Sequence, residues 1–244
     1  MSVSCFIGAC SACFVTSSVF SRALTLIPGC QSLYEREVAG KPKFNPSSSG
    51  PVTQKRFWER LGQFLDKGDV LLAEQGTAFF GVSTVPLPEY ITFVGQPLWG
   101  SIGYTLPALL GTCLASPERR HILIIGDGSF QLTAQELSTL MKHKLKPVII
   151  LINNNGYTVE RAIHGADQAY NDIYMWQYHR LPEVLGVQND CVSIRIQNEK
   201  ELDDALIQAK NPNKLMFLEV RMDAMDAPEL LVDLGKMFAA QNDY

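Results

Sequence analysis

The sequence predicts an α/β fold: a doubly wound, mostly parallel six-stranded sheet with helices on both faces. Three observations predict it. His121 to Ile125 and Val148 to Ile152 are continuous apolar runs, the pattern of strands buried on both faces. The stretch between them is long enough for a helical crossover, and such connections are right-handed and join parallel strands. Further short apolar runs alternate with helical stretches along the rest of the chain, which is how a parallel α/β sheet is encoded.

Taken in order, residues 1–21 carry no charge and are rich in Ser, Cys, Ala, Val and Phe. A secretory leader would open on basic residues, and a membrane span would be more uniformly apolar. The segment reads as a poorly ordered extension or the product of a truncated gene model, with a leader or anchor the lesser alternative. Residues 40–51 (GKPKFNPSSSGP) form a linker by composition, so extension and linker fill 1–50 and one domain fills 51–244. Thr53 is placed to cap a helix from Gln54 to Asp66, with Phe57, Leu61, Phe64 and Leu65 on one face. Gly68 ends it. Val70 to Ala73 is a buried strand that stops at Glu74, Gln75, Gly76 and Thr77. Ile91 to Val94 is a further strand. Gly95 to Gly103 contains three glycines and leads into a helix from Tyr104 to Ala115. Beyond the two central strands, Pro182 to Leu185 suggests a helical turn. Cys191 to Ile196 and Leu215 to Val220 are strands separated by a helix from Glu199 to Lys210. Ala227 to Ala240 closes the chain as an amphipathic helix. No internal repeat is present.

With 244 residues, 46% hydrophobic and 19% charged, the chain has the composition of a soluble globular protein with ample core. The net charge of −4 and the lack of a basic run argue against a nucleic-acid or anionic-membrane partner. Cys10 and Cys13 form a lone C-x-x-C without a second pair or a nearby His, a weak metal or redox signal. Cys113 and Cys191 fall in apolar runs and read as core thiols. A reducing, cytoplasmic setting is expected.

The chemistry is concentrated where the central runs stop, at Gly126-Asp127-Gly128-Ser129 and at Asn153-Asn154-Asn155-Gly156. As ends of parallel neighbours, these residues emerge at the carboxyl edge of the sheet, where open α/β sheets bind ligands. Asp127 offers a carboxylate, Asn154 an amide oxygen and Gly156 a backbone carbonyl. Such hard oxygen donors suit Mg²⁺, which completes its octahedron with phosphate oxygens and water. Gly126 and Gly128 let backbone approach a ligand, and the helix opened by Gly128 and Ser129 offers free N–H groups to an anion. Metal and helix start together suggest a diphosphate. The same residues also suit a βαβ unit whose turns simply contain Gly and Asn.

Longer motifs separate these readings. Gly126-Asp127-Gly128 is followed by Asn154 27 positions after Asp127, with the run closing on NNxGYTVE through Glu160. This resembles the signature of thiamine-diphosphate-dependent 2-oxo-acid decarboxylases. Residues 96–105 (QPLWGSIGYT) and 157–166 (YTVERAIHGA) are similar to the indolepyruvate, phenylpyruvate and pyruvate decarboxylases, most closely the indolepyruvate branch. The resemblance covers about residues 51–244 and only the C-terminal, diphosphate-binding domain of such an enzyme.

The resemblance implies thiamine diphosphate and Mg²⁺ as cofactors, with Asp127, Asn154 and Gly156 on the metal. It implies cofactor contacts from Gly76, Thr77, Gly100, Ile102, Gly126, Asp127, Gly128, Ser129, Asn154, Gly156, Tyr157 and Val159. Ile102, a core residue by pattern, would be the wedge that bends the cofactor, with the Gly100 carbonyl holding its amino group. Glu160 would be the catalytic acid. By pattern alone Glu160 is a solvated first-turn carboxylate favoured by the helix dipole. Gln75 would lie near the substrate, and His164 reads as a C-terminal helix cap. The implied reaction releases an aldehyde and CO₂ from a small 2-oxo acid. The relatives also use an N-terminal pyrimidine-binding domain, from a partner subunit of a homo-oligomer, and residues 1–50 do not resemble it. Two alternatives remain open: a non-catalytic cofactor-binding module that needs a separate chain, and an acetolactate-synthase-like carboligase. The 157–165 segment argues against the carboligase.

Overall fold

The computed structural model describes residues 43–47, 49–187 and 189–242. The expected extension, and the reading of Cys10 and Cys13, lie outside the described residues. The chain runs α1 (Gln54–Phe64), β1 (Val70–Ala73), α2 (Thr77–Val82), β2 (Thr92–Val94), α3 (Thr105–Ala115) and β3 (His121–Gly126). It continues through α4 (Asp127–Thr133), α5 (Glu136–Lys142), β4 (Val148–Asn153), α6 (Thr158–His164), α7 (Leu181–Leu185), β5 (Cys191–Ile196), α8 (Glu199–Gln208), β6 (Leu215–Arg221) and α9 (Glu229–Asn242). Two 3₁₀ turns, Ala169–Asn171 and Tyr178–Arg180, lie between α6 and α7.

The six strands form one sheet in the order β2-β1-β3-β4-β6-β5, and every pairing is parallel. The uninterrupted apolar runs are explained by burial on both faces. Ile122 and Ile124 join Phe57, Leu61, Ala78, Leu202 and Leu206 in a core under α1, α2 and α8. Leu123 and Ile125 turn the other way, onto Leu106, Leu109, Phe130, Leu137 and Leu140 of α3, α4 and α5. Each such Leu or Ile contributes about 1.5–3 kcal/mol when fully buried. Polar substitution in these strands would therefore break a core whichever face it pointed to.

Local signals account for the element ends. Thr53 caps α1, its hydroxyl accepting the Arg56 N–H at 3.3 Å. The helix stops at Phe64, two residues before the expected end, because the Asp66 N–H turns to the Asp69 carboxylate at 2.7 Å. Between β3 and β4 the single expected helix is two. The chain breaks at Ala134 and Gln135, so that Phe130 of α4 packs against Tyr178 and Phe217 while α5 lies along α3. Of residues 40–51, read as a linker by composition, the described ones (43–47 and 49–51) include Asn45 and Ser47, which are held to α1 and α8. Arg56 pairs with Glu199 at 2.8 Å and donates to the Asn45 carbonyl at 2.7 Å, and the Ser47 N–H donates to Glu199 at 2.8 Å. Among the described residues no helix is long and apolar enough to cross a membrane.

Candidate functional site

Strand order places the site. From β1 the chain moves outward to β2, then returns to the other side of β1 to form β3 and proceeds to β4. The crevice at such a switch point opens at the carboxyl ends of the two strands that flank it. Those ends are Glu74 to Thr77 after β1 and Gly126 to Ser129 after β3. They are adjacent, since the Glu74 N–H donates to the Ile124 carbonyl at 2.9 Å. The Asn153 to Gly156 turn at the end of β4 lies on the other side of β3.

Asp127 is the centre of this edge. Its side chain is 1% exposed, with one carboxylate oxygen accepting the Gly128 N–H at 2.8 Å and the other the Gly156 N–H at 3.0 Å. The second bond ties the ends of β3 and β4 together. Burial raises the Asp127 pKa to about 6, opposed by these backbone donors. Among the described residues no cationic side chain pairs with it. A buried carboxylate with amide donors and no ion-pair partner is a place where a divalent ion gains most. Asn154 is buried in the turn that follows β4. The Gly156 carbonyl accepts the Thr158 N–H at 3.1 Å and keeps a second lone pair. Gly156 holds φ +111°, and a side chain there would lie 2.2 Å from the Asn171 carbonyl oxygen, so no other residue fits.

Two expectations about Gly128 change. Helix α4 begins at Asp127, and the Gly128 N–H is taken by the Asp127 carboxylate rather than left for an anion. The space beside Gly128 belongs to Tyr157, whose ring would be 2.4 Å from a methyl group at that position. Burial raises the Tyr157 pKa, and the charges of Asp127 and Glu160 add to the rise. Gly126 faces open space, and Ser129 is buried.

The other wall is built from β1 and the loop before α3. Gly76 lies against Val159, 3.7 Å from where its side chain would begin, and Thr77 opens α2. The Gln75 side chain lies beside Gly100, and its amide oxygen is buried with no partner among the described residues. Ile102 is 39% exposed and Trp99 is 87% exposed, so neither is the core residue its hydrophobicity suggests. The structure thus joins the loop at 100, the turn at 75–77, Val159 and the Tyr157–Asp127 edge into one continuous wall. Glu160 follows Val159 in α6. It is a third exposed, and its carboxylate meets the His164 ring at 2.7 Å. His164 therefore pairs one turn back along α6 and is not the carbonyl cap its position suggested.

Residues 77–220 match the family described as thiamine pyrophosphate enzyme, C-terminal TPP binding domain. The chain belongs to this family. It is 51% identical over 185 residues to an alpha-keto-acid decarboxylase of Mycobacterium avium, covering 75% of this chain and 33% of that protein. The alpha-keto-acid decarboxylase of Mycobacterium tuberculosis is 48% identical over 192 residues, with 78% and 34% covered. The chain thus spans about a third of the length of the curated relatives it matches.

Two carboxylates of this thiamine pyrophosphate domain have roles the sequence did not reveal: Glu74, named only as part of a candidate strand end, and Glu219, not singled out at all. Glu74 is fully buried at the end of β1 and accepts four hydrogen bonds, from the Gln75, Gly103 and Thr105 N–H groups and the Thr105 hydroxyl. Glu219 is buried in β6, where it accepts from Asn153 at 2.7 Å and from the His179 backbone N–H at 3.0 Å, with the His179 ring at 2.9 Å. It thereby braces the residue next to Asn154. The signal for both was present: a charged residue inside or directly after a fully apolar run implies a buried, paired charge.

Proposed function

We propose that this chain forms the diphosphate- and metal-binding part of a thiamine-diphosphate- and Mg²⁺-dependent 2-oxo-acid decarboxylase. The observation that carries the proposal is the Asp127 carboxylate, buried at the sheet's carboxyl edge and tied to the Gly156 N–H at 3.0 Å. It supports one metal position shared by β3 and the turn after β4. The donor set of one carboxylate, one amide and one carbonyl fits Mg²⁺ better than a nitrogen- or sulfur-seeking metal. Asp127, Asn154 and the Gly156 carbonyl would hold it. The wall from Gly76, Thr77 and Gly100 to Val159 and Tyr157 would receive the rest of the cofactor. Ile102, exposed on its loop, would be the bulky wedge, and Gln75 would lie on the substrate side. When bound, the cofactor supplies the carbon nucleophile and the electron sink for decarboxylation. Glu160 holds and returns the proton, with His164 orienting its carboxyl group.

The activity for which the relatives are named, alpha-keto-acid decarboxylase, supports the reaction class. The 96–105 and 157–166 segments support a substrate of the indolepyruvate, phenylpyruvate or pyruvate kind. The exposed Leu98, Trp99 and Ile102 beside the crevice support a site completed by a pyrimidine-binding domain of a partner subunit, hence a homo-oligomer. A cytoplasmic location fits Cys113 and Cys191, both free thiols pushed up to about 12 by burial. The test is titration of the chain with thiamine diphosphate with and without Mg²⁺, followed by tryptophan fluorescence. Saturable, Mg²⁺-dependent quenching is expected, and its absence would refute the cofactor assignment. Aldehyde release from a 2-oxo acid, with and without a supplied N-terminal domain, separates a decarboxylase from a module that only binds.

A further inference from the structure

The loop from Gln96 to Thr105 carries Gly100 and Ile102 and is anchored at two places. At its start the Gln96 side-chain oxygen accepts the Trp99 and Ser101 N–H groups at 3.2 and 3.3 Å, so residues 96–101 hold themselves. At its end the grip comes from another element. One oxygen of Glu74 accepts the Gly103 N–H at 3.1 Å, the Thr105 N–H at 3.2 Å and the Thr105 hydroxyl at 2.8 Å. The other oxygen accepts the Gln75 N–H at 2.9 Å. Ile102 lies between the two anchors, flanked by Gly100 at φ +61° and Gly103 at φ +82°. These two glycines let the backbone pivot on either side of Ile102.

Glu74 is fully buried, and among the described residues it has no cationic partner. A carboxylate in that state is stable only while its donors stay in place, and three of the four belong to the 103–105 segment. Burial costs of this kind are not retained for packing, since an apolar residue would cap β1 at lower cost. What the carboxylate adds is direction: it accepts at fixed angles from groups that cannot move without leaving it uncompensated.

We propose that Glu74 is a positioning residue that sets how Ile102 and the Gly100 carbonyl stand over the crevice. It thereby governs the fit of the cofactor's ring portion independently of the metal and diphosphate end. The inference rests on the cofactor reading above, but its mechanical part stands without it. Glu74 and the Asp127–Gly156 bond act on different loops, so the two ends of the site separate in experiment.

Two variants of the full chain test this. Glu74→Gln keeps the shape but replaces a charge-assisted acceptor with a neutral one and turns an N–H₂ toward one of the donors. Thr105→Val removes one donor and leaves Glu74 in place. In the chain without ligand, both should speed amide hydrogen exchange across residues 98–105 and leave residues 153–156 unchanged. Unchanged exchange at 98–105 in both variants would overturn the proposal, whether or not the chain binds the cofactor. Thiamine diphosphate with Mg²⁺ should bind Glu74→Gln roughly tenfold more weakly, as expected when a charge-assisted hydrogen bond becomes neutral. Inorganic pyrophosphate with Mg²⁺ should bind with little change. Equal weakening of both ligands would overturn the proposal, because it would mean Glu74 supports the fold at large. Combining Glu74→Gln with Ile102→Ala should add nothing to the loss from Ile102→Ala alone, and additive losses would also overturn it. Failure of the wild-type chain to bind either ligand would refute the decarboxylase reading, while the exchange experiment would still decide the role of Glu74.

Discussion

Asp127 is expected to weaken the fold it serves. Its folded pKa of about 6 stands against an ordinary value of 3.8. A group raised in the folded state gives its full stability below the unfolded pKa and loses it as pH rises through the folded one. The displacement corresponds to roughly 3 kcal/mol lost by neutral pH, at about 1.4 kcal/mol per unit. Asp127→Asn removes that cost. It also leaves either the Gly128 or the Gly156 N–H without an acceptor, a penalty of about 1–3 kcal/mol that does not depend on pH. The informative quantity is therefore the change with pH. Without divalent metal, the stability of the variant relative to wild type should rise by about 2 kcal/mol between roughly pH 4.5 and 7.5. Urea unfolding of both proteins at the two pH values measures it. Excess Mg²⁺ and thiamine diphosphate should then favour wild type, by about 2.7 kcal/mol at a hundredfold excess over Kd, and should not help the variant. A stability difference that stays flat with pH would refute the argument that Asp127 is a buried carboxylate awaiting a cation.

Gly156→Ala should cost at least about 2 kcal/mol, read as a fall in Tm, because it adds left-handed strain to a contact with Asn171. Mg²⁺-dependent cofactor binding should be lost in the same variant, and a normal Tm would contradict the geometry. In a complete enzyme carrying this domain, Glu160→Gln should lower kcat by about 10²–10⁴-fold with little change in cofactor affinity. Turnover near the wild-type rate would make Glu160 a surface carboxylate. The exposed Leu98, Trp99 and Ile102 should drive self-association of the isolated chain, and light scattering from a monodisperse monomer at high concentration would count against a docking role.

The sequence by itself determined the strands and the edge. A parallel strand buried on both faces needs an unbroken apolar run, so β3 and β4 are readable without any partner in view. The Thr53 cap is readable too, because the bond it makes is local. Asp127 and Asn154 follow as residues at the ends of two adjoining runs. Long motifs such as the one from Gly126 to Glu160 carry the family, and single spacings do not. Only the tertiary structure decided that β1 lies beside β3, which makes Glu74 to Thr77 a wall of the same crevice. It alone put Tyr157 in the space beside Gly128, turned His164 to Glu160, exposed Ile102 and set Glu74 beneath the loop that carries it. The physical reason is range. Apolar periodicity and caps are properties of neighbouring residues, whereas strand order and the partners of a buried carboxylate are fixed by contacts between segments far apart in the chain. In this protein 29 positions separate Glu74 from Gly103, as they do Asp127 from Gly156.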